Sequence, residues 1–240
     1  MDFVSAVRLL NEMTPMPVSV QTVKEAPVQQ QTSRPFVLPP ADRNTEAATS
    51  YLMHRGISPK SCATAWAAES CTRPRAATTA TAFLWARMKA AFRVLLFSVA
   101  AKHLRGDVTG SQKKYGFLMQ AENPDCDTVE LYEAPIDAMS GATLRQYTDI
   151  GKWRSVHYLA LGGLNYLPST TFLQQHPQVK NVVLCFDRDE PGLRFAETVT
   201  KRLAERGCNV EKRLPAVGKD YNESLIWYKS KIEKQRGERV

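Results

Sequence analysis

The stretch "NVVLCFD" at 181–187 is apolar at nearly every position. A strand of this kind is buried on both faces, which is typical of parallel sheets covered by helices. Strands and helices alternate around it, which predicts an α/β fold with a parallel sheet of about four strands flanked by helices. In the predicted helix "PGLRFAETVTKRLAERG", Ala196, Val199 and Leu203 share one apolar face, and Gly207 ends the helix. The predicted strands are 128–133, 157–163, 181–187 and 209–215, and the predicted helices are "APIDAMSGATLRQYTD", "PSTTFLQQHP" and "PGLRFAETVTKRLAERG".

The chain before residue 123 is less regular. Val4, Val7, Leu10 and Met13 recur at a spacing that predicts a short amphipathic helix, and a stretch rich in Pro, Gln, Thr and Ser then indicates a linker. "NTEAATSYLMHRG" predicts a helix that ends at Gly56, and "RGDVTGSQKKYGFLM" indicates either a pair of short strands or a loop. We therefore expect an N-terminal helix at 1–16, a linker at 17–40 and a poorly specified α+β upstream domain at 41–122. A sheet domain at 123–230 and a charged tail at 231–240 follow.

Residues 61–104 are anomalous in composition. They contain no Gly, Asn, Gln, Asp or Tyr, and they carry six Lys and Arg residues against one acid. One interpretation is an Ala-rich helical insertion. The other is translation in the wrong reading frame, because regrouping the codons of "TAFLWARMKAAFR" can give a strand, a glycine turn and the start of a second strand.

The composition argues against a membrane-spanning or secreted protein and against a zinc site. The longest apolar run, "VLLFSVAA", is too short to span a bilayer, and the N-terminus lacks a signal-peptide cleavage site, so we expect a cytoplasmic protein with reduced cysteines. The five cysteines form no C-x-x-C pair, so their spacing predicts no zinc site. The net charge of +8 favours nucleic acid as a partner, but the anomalous segment supplies most of it.

Acidic residues follow two of the predicted strands. Glu133 ends the first strand, and Asp187 and Asp189 stand two residues apart at the end of the third. Ligands of open α/β sheets bind at the carboxyl ends of strands, and residues i and i+2 of a strand point to the same side. Two converging carboxylates repel each other unless a cation lies between them. Either a divalent ion such as Mg²⁺ binds there, or Arg188 and other basic neighbours neutralise a surface turn.

The segments "LYEAPIDAMS", "HYLALGG" and "VVLCFDRDEPG" together resemble the Toprim domain, which is the catalytic fold of bacterial primases, topoisomerases and some small nucleases. The resemblance covers residues 127 to 228. Upstream, "RPFVLPPADRNTEAATSYLMHRGIS" and "LRGDVTGSQKKYGF" resemble the uncharacterised domain that precedes Toprim in proteins of bacterial mobile elements. Such proteins usually begin with a zinc finger. No finger ligands precede "MDFVSAVRLL", so we expect no zinc in this chain.

The resemblance implies roles for particular residues. Asp187 and Asp189 would hold Mg²⁺ or Mn²⁺, and Glu133 would be a further ligand or the general acid/base. The alternative for Glu133 is a strand-end charge that pairs with Lys or Arg. Asp137 is either a partner of the metal ligands or a helix cap. Lys219 and Asp220 are either a phosphate-binding cation and an extra acid at the same rim, or solvated loop charges.

Other residues have a smaller part in the expected site. Gly162, Gly163 and Gly192 occupy the turn positions of the Toprim pattern. Trp153, which lies between two basic residues, either stacks on a base or belongs to a surface loop.

The function that this resemblance implies is Mg²⁺-dependent phosphoryl transfer on nucleic acid by a primase-like protein. Its partners would be single-stranded or duplex DNA, nucleotides, and proteins of replication or mobilisation, without a membrane. The alternatives are an inactive Toprim remnant that binds DNA weakly at most, and a small Toprim nuclease. Because the sequence supplies no primase core beyond Toprim, we expect low or no activity from the isolated chain.

Overall fold

The structure is a computed structural model that describes residues 46–67, 71–72, 81–88, 91–98, 105–107 and 111–237 of the 240-residue chain. The predicted N-terminal helix and linker lie outside the described residues, as does the end of the charged tail. The boundaries proposed for the domains stay predictions.

In the described part of the upstream chain, helices α1 (Glu46–His54) and α2 (Pro59–Ala67) precede a small antiparallel sheet. Helix α1 confirms the helix predicted from "NTEAATSYLMHRG". The sheet has the strand order β1-β2-β3-β4. Its strands are β1 (Cys71–Thr72), β2 (Thr81–Met88), β3 (Ala91–Ser98) and β4 (Arg105–Asp107).

The helical interpretation of the anomalous segment is wrong for the residues described at 71–72, 81–88 and 91–98, which form strands. Strands β2 and β3 pair antiparallel along their whole length, from Thr81 opposite Ser98 to Met88 opposite Ala91. The physical reason lies in "AFRVLLFS" and "TAFLWARM", whose aromatic and branched residues favour strands over helices. The reading-frame hypothesis stays a prediction.

The main sheet has five strands in the order β5-β7-β6-β8-β9. Strands β6, β7, β8 and β9 run parallel, which confirms the predicted fold class, and β5 adds an antiparallel edge strand beside β7. The upstream stretch "RGDVTGSQKKYGFLM" therefore contains two short strands, β4 and β5, in different sheets. The strands are β5 (Phe117–Met119), β6 (Thr128–Tyr132), β7 (His157–Ala160), β8 (Asn181–Cys185) and β9 (Asn209–Lys212).

Helices cover both faces of this sheet, as the apolar sequence of β8 requires. One face packs against α3 (Pro135–Thr148) and α6 (Tyr221–Gly237), and the same core includes Leu52 and Ile57 from the upstream helical region. The other face packs against α4 (Leu167–Gln175) and α5 (Glu190–Glu205).

Helix α5 buries Ala196, Val199 and Leu203, which confirms its predicted face. Helix α6 was not predicted as a helix. No helix among the described residues is long and apolar enough to cross a membrane.

Candidate metal centre

The acidic residues leave the sheet at its carboxyl edge. Strands β6 and β8 are parallel neighbours, and Tyr132 pairs with Cys185 at their last shared position. Glu133 is the next residue after β6, and Asp187 follows β8 by two residues. Strand β8 thus ends earlier than predicted, and the two aspartates lie in the connection to α5 rather than in the strand.

The two aspartates nevertheless face one cation, which is the ammonium of Lys219. Its Nζ lies 3.0 Å from Asp189 Oδ2 and 3.5 Å from Asp187 Oδ2. The guanidinium of Arg188, the basic neighbour singled out from the sequence, instead donates to the carbonyl of Pro215. The charge that neutralises the aspartates comes from a residue 30 positions further along the chain than Asp189.

The surroundings hold the two aspartates at different pKa values. Burial raises the pKa of Asp187, and the Lys219 ammonium opposes this shift. The pKa of Asp189 is lowered because its carboxylate accepts from the Gly192 N–H, at 2.9 Å, and from Lys219. Asp189 is also the residue that caps the N-terminus of α5. The start of the helix therefore stabilises the charged form of Asp189.

Glu133 lies close enough to Asp187 and Asp189 for their negative charges to affect its pKa. Burial, followed by repulsion from Asp187 and Asp189, raises the pKa of Glu133 to about 6, and Lys219 acts in the opposite direction. The Glu133 carbonyl accepts from the N–H groups of Gly162 and Gly163, at 2.9 and 3.0 Å. Both glycines have positive φ, 71° and 108°, so the turn after β7 uses their freedom to close over the end of β6.

A glycine is required at position 192 because the backbone of Asp187 lies very close to it. A Cβ atom at this position would lie 2.4 Å from the carbonyl oxygen of Asp187. The absence of a side chain allows the first turn of α5 to pack directly against the Asp-x-Asp segment.

Asp137, in the first turn of α3, is buried and connects α3 to α6. Its Oδ1 accepts from the backbone N–H of Asn222 at 3.2 Å. Burial, followed by repulsion from Asp220 and Asp187, raises the pKa of Asp137 to about 8. Asp220 itself accepts from the Glu223 N–H at 2.7 Å, as the cap of α6. Both acids adjoin the metal-site residues, and both also have a structural role at the start of α6.

The structure does not bring the acids together as a complete metal cage. Among the residues it describes, no three His, Cys, Asp or Glu side chains are grouped closely enough to hold a metal ion. Glu133 as a direct ligand stays a prediction. Trp153 packs partly buried against the core, with the Arg154 guanidinium 5.9 Å from its ring, and its stacking on a base also stays a prediction.

A buried charge cluster that the sequence did not predict surrounds Glu130, which lies in β6 three residues before Glu133. Glu130 Oε1 accepts from Arg145 at 2.5 Å and from Arg213 at 2.7 Å, while Oε2 accepts from the Tyr132 hydroxyl at 2.8 Å. The glutamate is 2% exposed. A lone glutamate within the apolar strand "TVELY" was the available signal, since a buried carboxylate needs cationic partners.

The donor set suits a hard divalent cation. The oxygens of Asp187 and Asp189 already accommodate a positive charge between them, and Mg²⁺ usually takes one or two carboxylates, several waters and substrate phosphates. Two carboxylates, with Glu133 nearby, satisfy that requirement without a third protein ligand.

Residues 130–225 match a family model described as Toprim-like. The chain therefore contains a Toprim-like domain, and this domain holds every acid described above. No curated protein matches the sequence.

Solved structures that are similar to this chain include structures of primases. The primase fragment of the bacteriophage T7 primase-helicase is 18% identical over 76% of this chain and 72% of its own, with a TM-score of 0.48. A chain from the T7 lagging-strand DNA polymerase complex with primase domains is 20% identical over 76% and 88%, with a TM-score of 0.51. The Aquifex aeolicus primase, with its zinc-binding and RNA polymerase domains, is 15% identical over 80% and 55%, with a TM-score of 0.53. At these identities, the two structures with TM-scores above 0.5 share the fold with this chain and nothing more.

Proposed function

We propose that this chain is a primase-like enzyme that carries out Mg²⁺-dependent phosphoryl transfer on nucleic acid. The observation that carries the proposal is the pair of carboxylates, Asp187 and Asp189, that share one cation beside Glu133 at the carboxyl edge of the sheet. The Toprim-like match over residues 130–225 and the fold shared with primase fragments support the same reaction class.

Asp187 and Asp189 would hold the metal ion through their carboxylate oxygens. When bound, Mg²⁺ would offset the charge that develops on phosphate oxygens during transfer. The Gly192 N–H and the start of α5 orient Asp189, so its oxygens are positioned before any ion arrives. Lys219 would contribute a positive charge for substrate phosphates at the same rim.

Glu133 would move the proton. A carboxyl group with a pKa of about 6 exchanges protons readily near neutral pH, which is the property required of a general acid/base. Its position next to the aspartate pair would place it beside the phosphodiester that forms or breaks.

The substrate would be a single-stranded or duplex DNA together with nucleotides. The resemblance of the upstream segments to proteins of bacterial mobile elements supports a role in replication or mobilisation of such an element, within the cytoplasm.

Primer synthesis tests this function. The purified 240-residue chain, a single-stranded DNA template and ribonucleotides should yield short RNA products, at a low rate, only when Mg²⁺ or Mn²⁺ is present. Asp187→Asn should reduce the rate by at least about a hundredfold, because even outer partners of metal ligands are worth 10–100-fold. Asp125→Asn is the matched control, since Asp125 is an exposed residue before β6.

The other outcomes identify the alternatives. Cleavage of DNA without nucleotides would indicate a Toprim nuclease instead. Neither product, combined with no stabilisation of the protein by Mg²⁺, would indicate an inactive remnant.

A further inference from the structure

Lys219 is held against the aspartate pair by its backbone, while its side chain is half exposed. Its N–H donates to Glu223 Oε2 at 2.7 Å, and its carbonyl accepts from the Arg188 N–H at 2.7 Å. The side chain is 55% exposed to solvent. The attachment point is thus fixed beside the Asp-x-Asp segment, but the ammonium lies on a flexible four-carbon stem.

The ammonium occupies the space between the two carboxylates. It lies within 3.5 Å of one oxygen from each aspartate, Asp187 Oδ2 and Asp189 Oδ2. A Mg²⁺ ion that used those same oxygens would lie about 2.1 Å from each. An ammonium and a divalent ion could not share this position, because they would overlap and repel each other.

We propose that Lys219 is a built-in counter-ion that exchanges with the divalent cation. In the metal-free protein its ammonium offsets the repulsion between Asp187 and Asp189, and metal binding displaces it towards solvent. This inference rests on the proposed function, since it assigns the same two aspartates to the metal. It adds that the affinity for the metal is set by a competing side chain as well as by the ligands.

Other described charges around the pair support this assignment to Lys219. The Arg188 guanidinium donates to the Pro215 carbonyl, and the neighbouring acids Glu133 and Asp220 add negative charge. Among the described residues, Asp187 and Asp189 each form an ion pair with Lys219.

The exchange predicts the direction in which Mg²⁺ affinity changes when Lys219 is replaced. Lys219→Met removes the competitor and also removes a like charge that would repel the bound ion, so both effects strengthen binding. Exposed ion pairs are weak individually, and breaking two of them corresponds to a gain in Mg²⁺ affinity of roughly three- to tenfold. If Lys219 instead assisted metal binding, the same substitution would weaken it.

The experiment is a calorimetric titration of Mg²⁺ into the 240-residue chain, with four variants compared with the wild type. Lys219→Met should lower the Kd, and Lys219→Arg, which keeps the charge, should remain close to wild type. Lys201→Met is the matched control, because it removes the same charge from an exposed position about 16 Å along α5 from Glu190. Asp187→Asn should bind Mg²⁺ much more weakly. Circular dichroism in chelator shows that each variant is folded.

Besides a weakened affinity in Lys219→Met, three results would contradict the inference in distinguishable ways. Equal affinity of wild type and Lys219→Met would overturn the exchange and leave the metal site intact. An identical gain in Lys201→Met would mean that overall charge, not position, is responsible, and would also overturn it. No Mg²⁺ binding by wild type or by Lys219→Met would overturn both the exchange and the proposed metal site.

Discussion

At the scale of single residues, Gly192 shows how tightly the site is built. The first turn of α5 approaches the Asp187 carbonyl so closely that a Cβ atom would lie 2.4 Å from its oxygen. The Gly192 N–H also donates to Asp189. The backbone of Gly192 therefore orients Asp189 and packs directly against the backbone of Asp187.

Gly192→Ala should weaken Mg²⁺ binding by at least about tenfold, because either α5 or Asp187 must move to relieve the overlap, at a cost of about 1–3 kcal/mol in stability. Calorimetry and urea unfolding measure the two effects. Gly151→Ala is the control: Gly151 has φ 84° and no atoms near its Cβ position, so this variant should lose about 1 kcal/mol but keep its metal affinity. Unchanged affinity in Gly192→Ala would contradict the prediction.

Asp137 gives the folded protein a pH-dependent stability. Its pKa rises from an ordinary 3.8 to about 8 on folding, so the folded state holds a proton that the unfolded chain releases. The free energy of unfolding should therefore fall as pH rises between about 4 and 8, by an amount on the order of a few kcal/mol. Asp137→Asn keeps an oxygen acceptor for Asn222 and should flatten this dependence, which makes the variant more stable than wild type above pH 8. Urea unfolding of the metal-free proteins across this range tests it, and parallel curves would refute it.

At the scale of elements, the Glu130 cluster ties β6 to α3 and to the end of β9. Arg145 comes from α3 and Arg213 follows β9, and both donate to the same carboxylate oxygen. The pairing also gives the two guanidiniums a partner near the core, where burial of an unpaired charge is costly. The candidate site lies at the carboxyl edge of these same strands.

Glu130→Ala should destabilise the protein by about 3–5 kcal/mol, because it leaves two partly buried arginines without their shared partner. Glu211→Ala is the control, since Glu211 pairs with Arg213 at an exposed position and should cost less than about 1 kcal/mol. Thermal and urea unfolding report both values. Similar costs for the two variants would show that the buried pairing adds little.

At the scale of the whole molecule, the upstream helices are part of the core that supports the site. Ile57 and Cys62 are buried in the same cluster as Ala138 and Met139 of α3 and Leu225 of α6. Helix α6 in turn begins directly after Lys219 and Asp220. A change far upstream in the sequence should therefore reach the metal site through α6.

Ile57→Ala should destabilise the sheet domain by about 2–5 kcal/mol, since it removes a fully buried side chain. Hydrogen exchange of the β8 amides measures whether the loss of stability extends across the sheet. Ile150→Ala, at a residue 84% exposed, should change stability by less than about 0.5 kcal/mol. Protection of β8 that is equal in both variants would mean that the upstream helices unfold independently.

The sequence by itself determined the α/β class, the parallel strands, the apolar face of α5 and the carboxyl-edge positions of Glu133, Asp187 and Asp189. These follow from local patterns, because apolar periodicity and strand ends are set by neighbouring residues. The tertiary structure decided that Lys219 neutralises the aspartates, that Glu130 pairs with Arg145 and Arg213, and that β5 joins the sheet edge. Each of these depends on contacts between residues far apart in the chain, and such contacts exist only after the strands and helices have packed together.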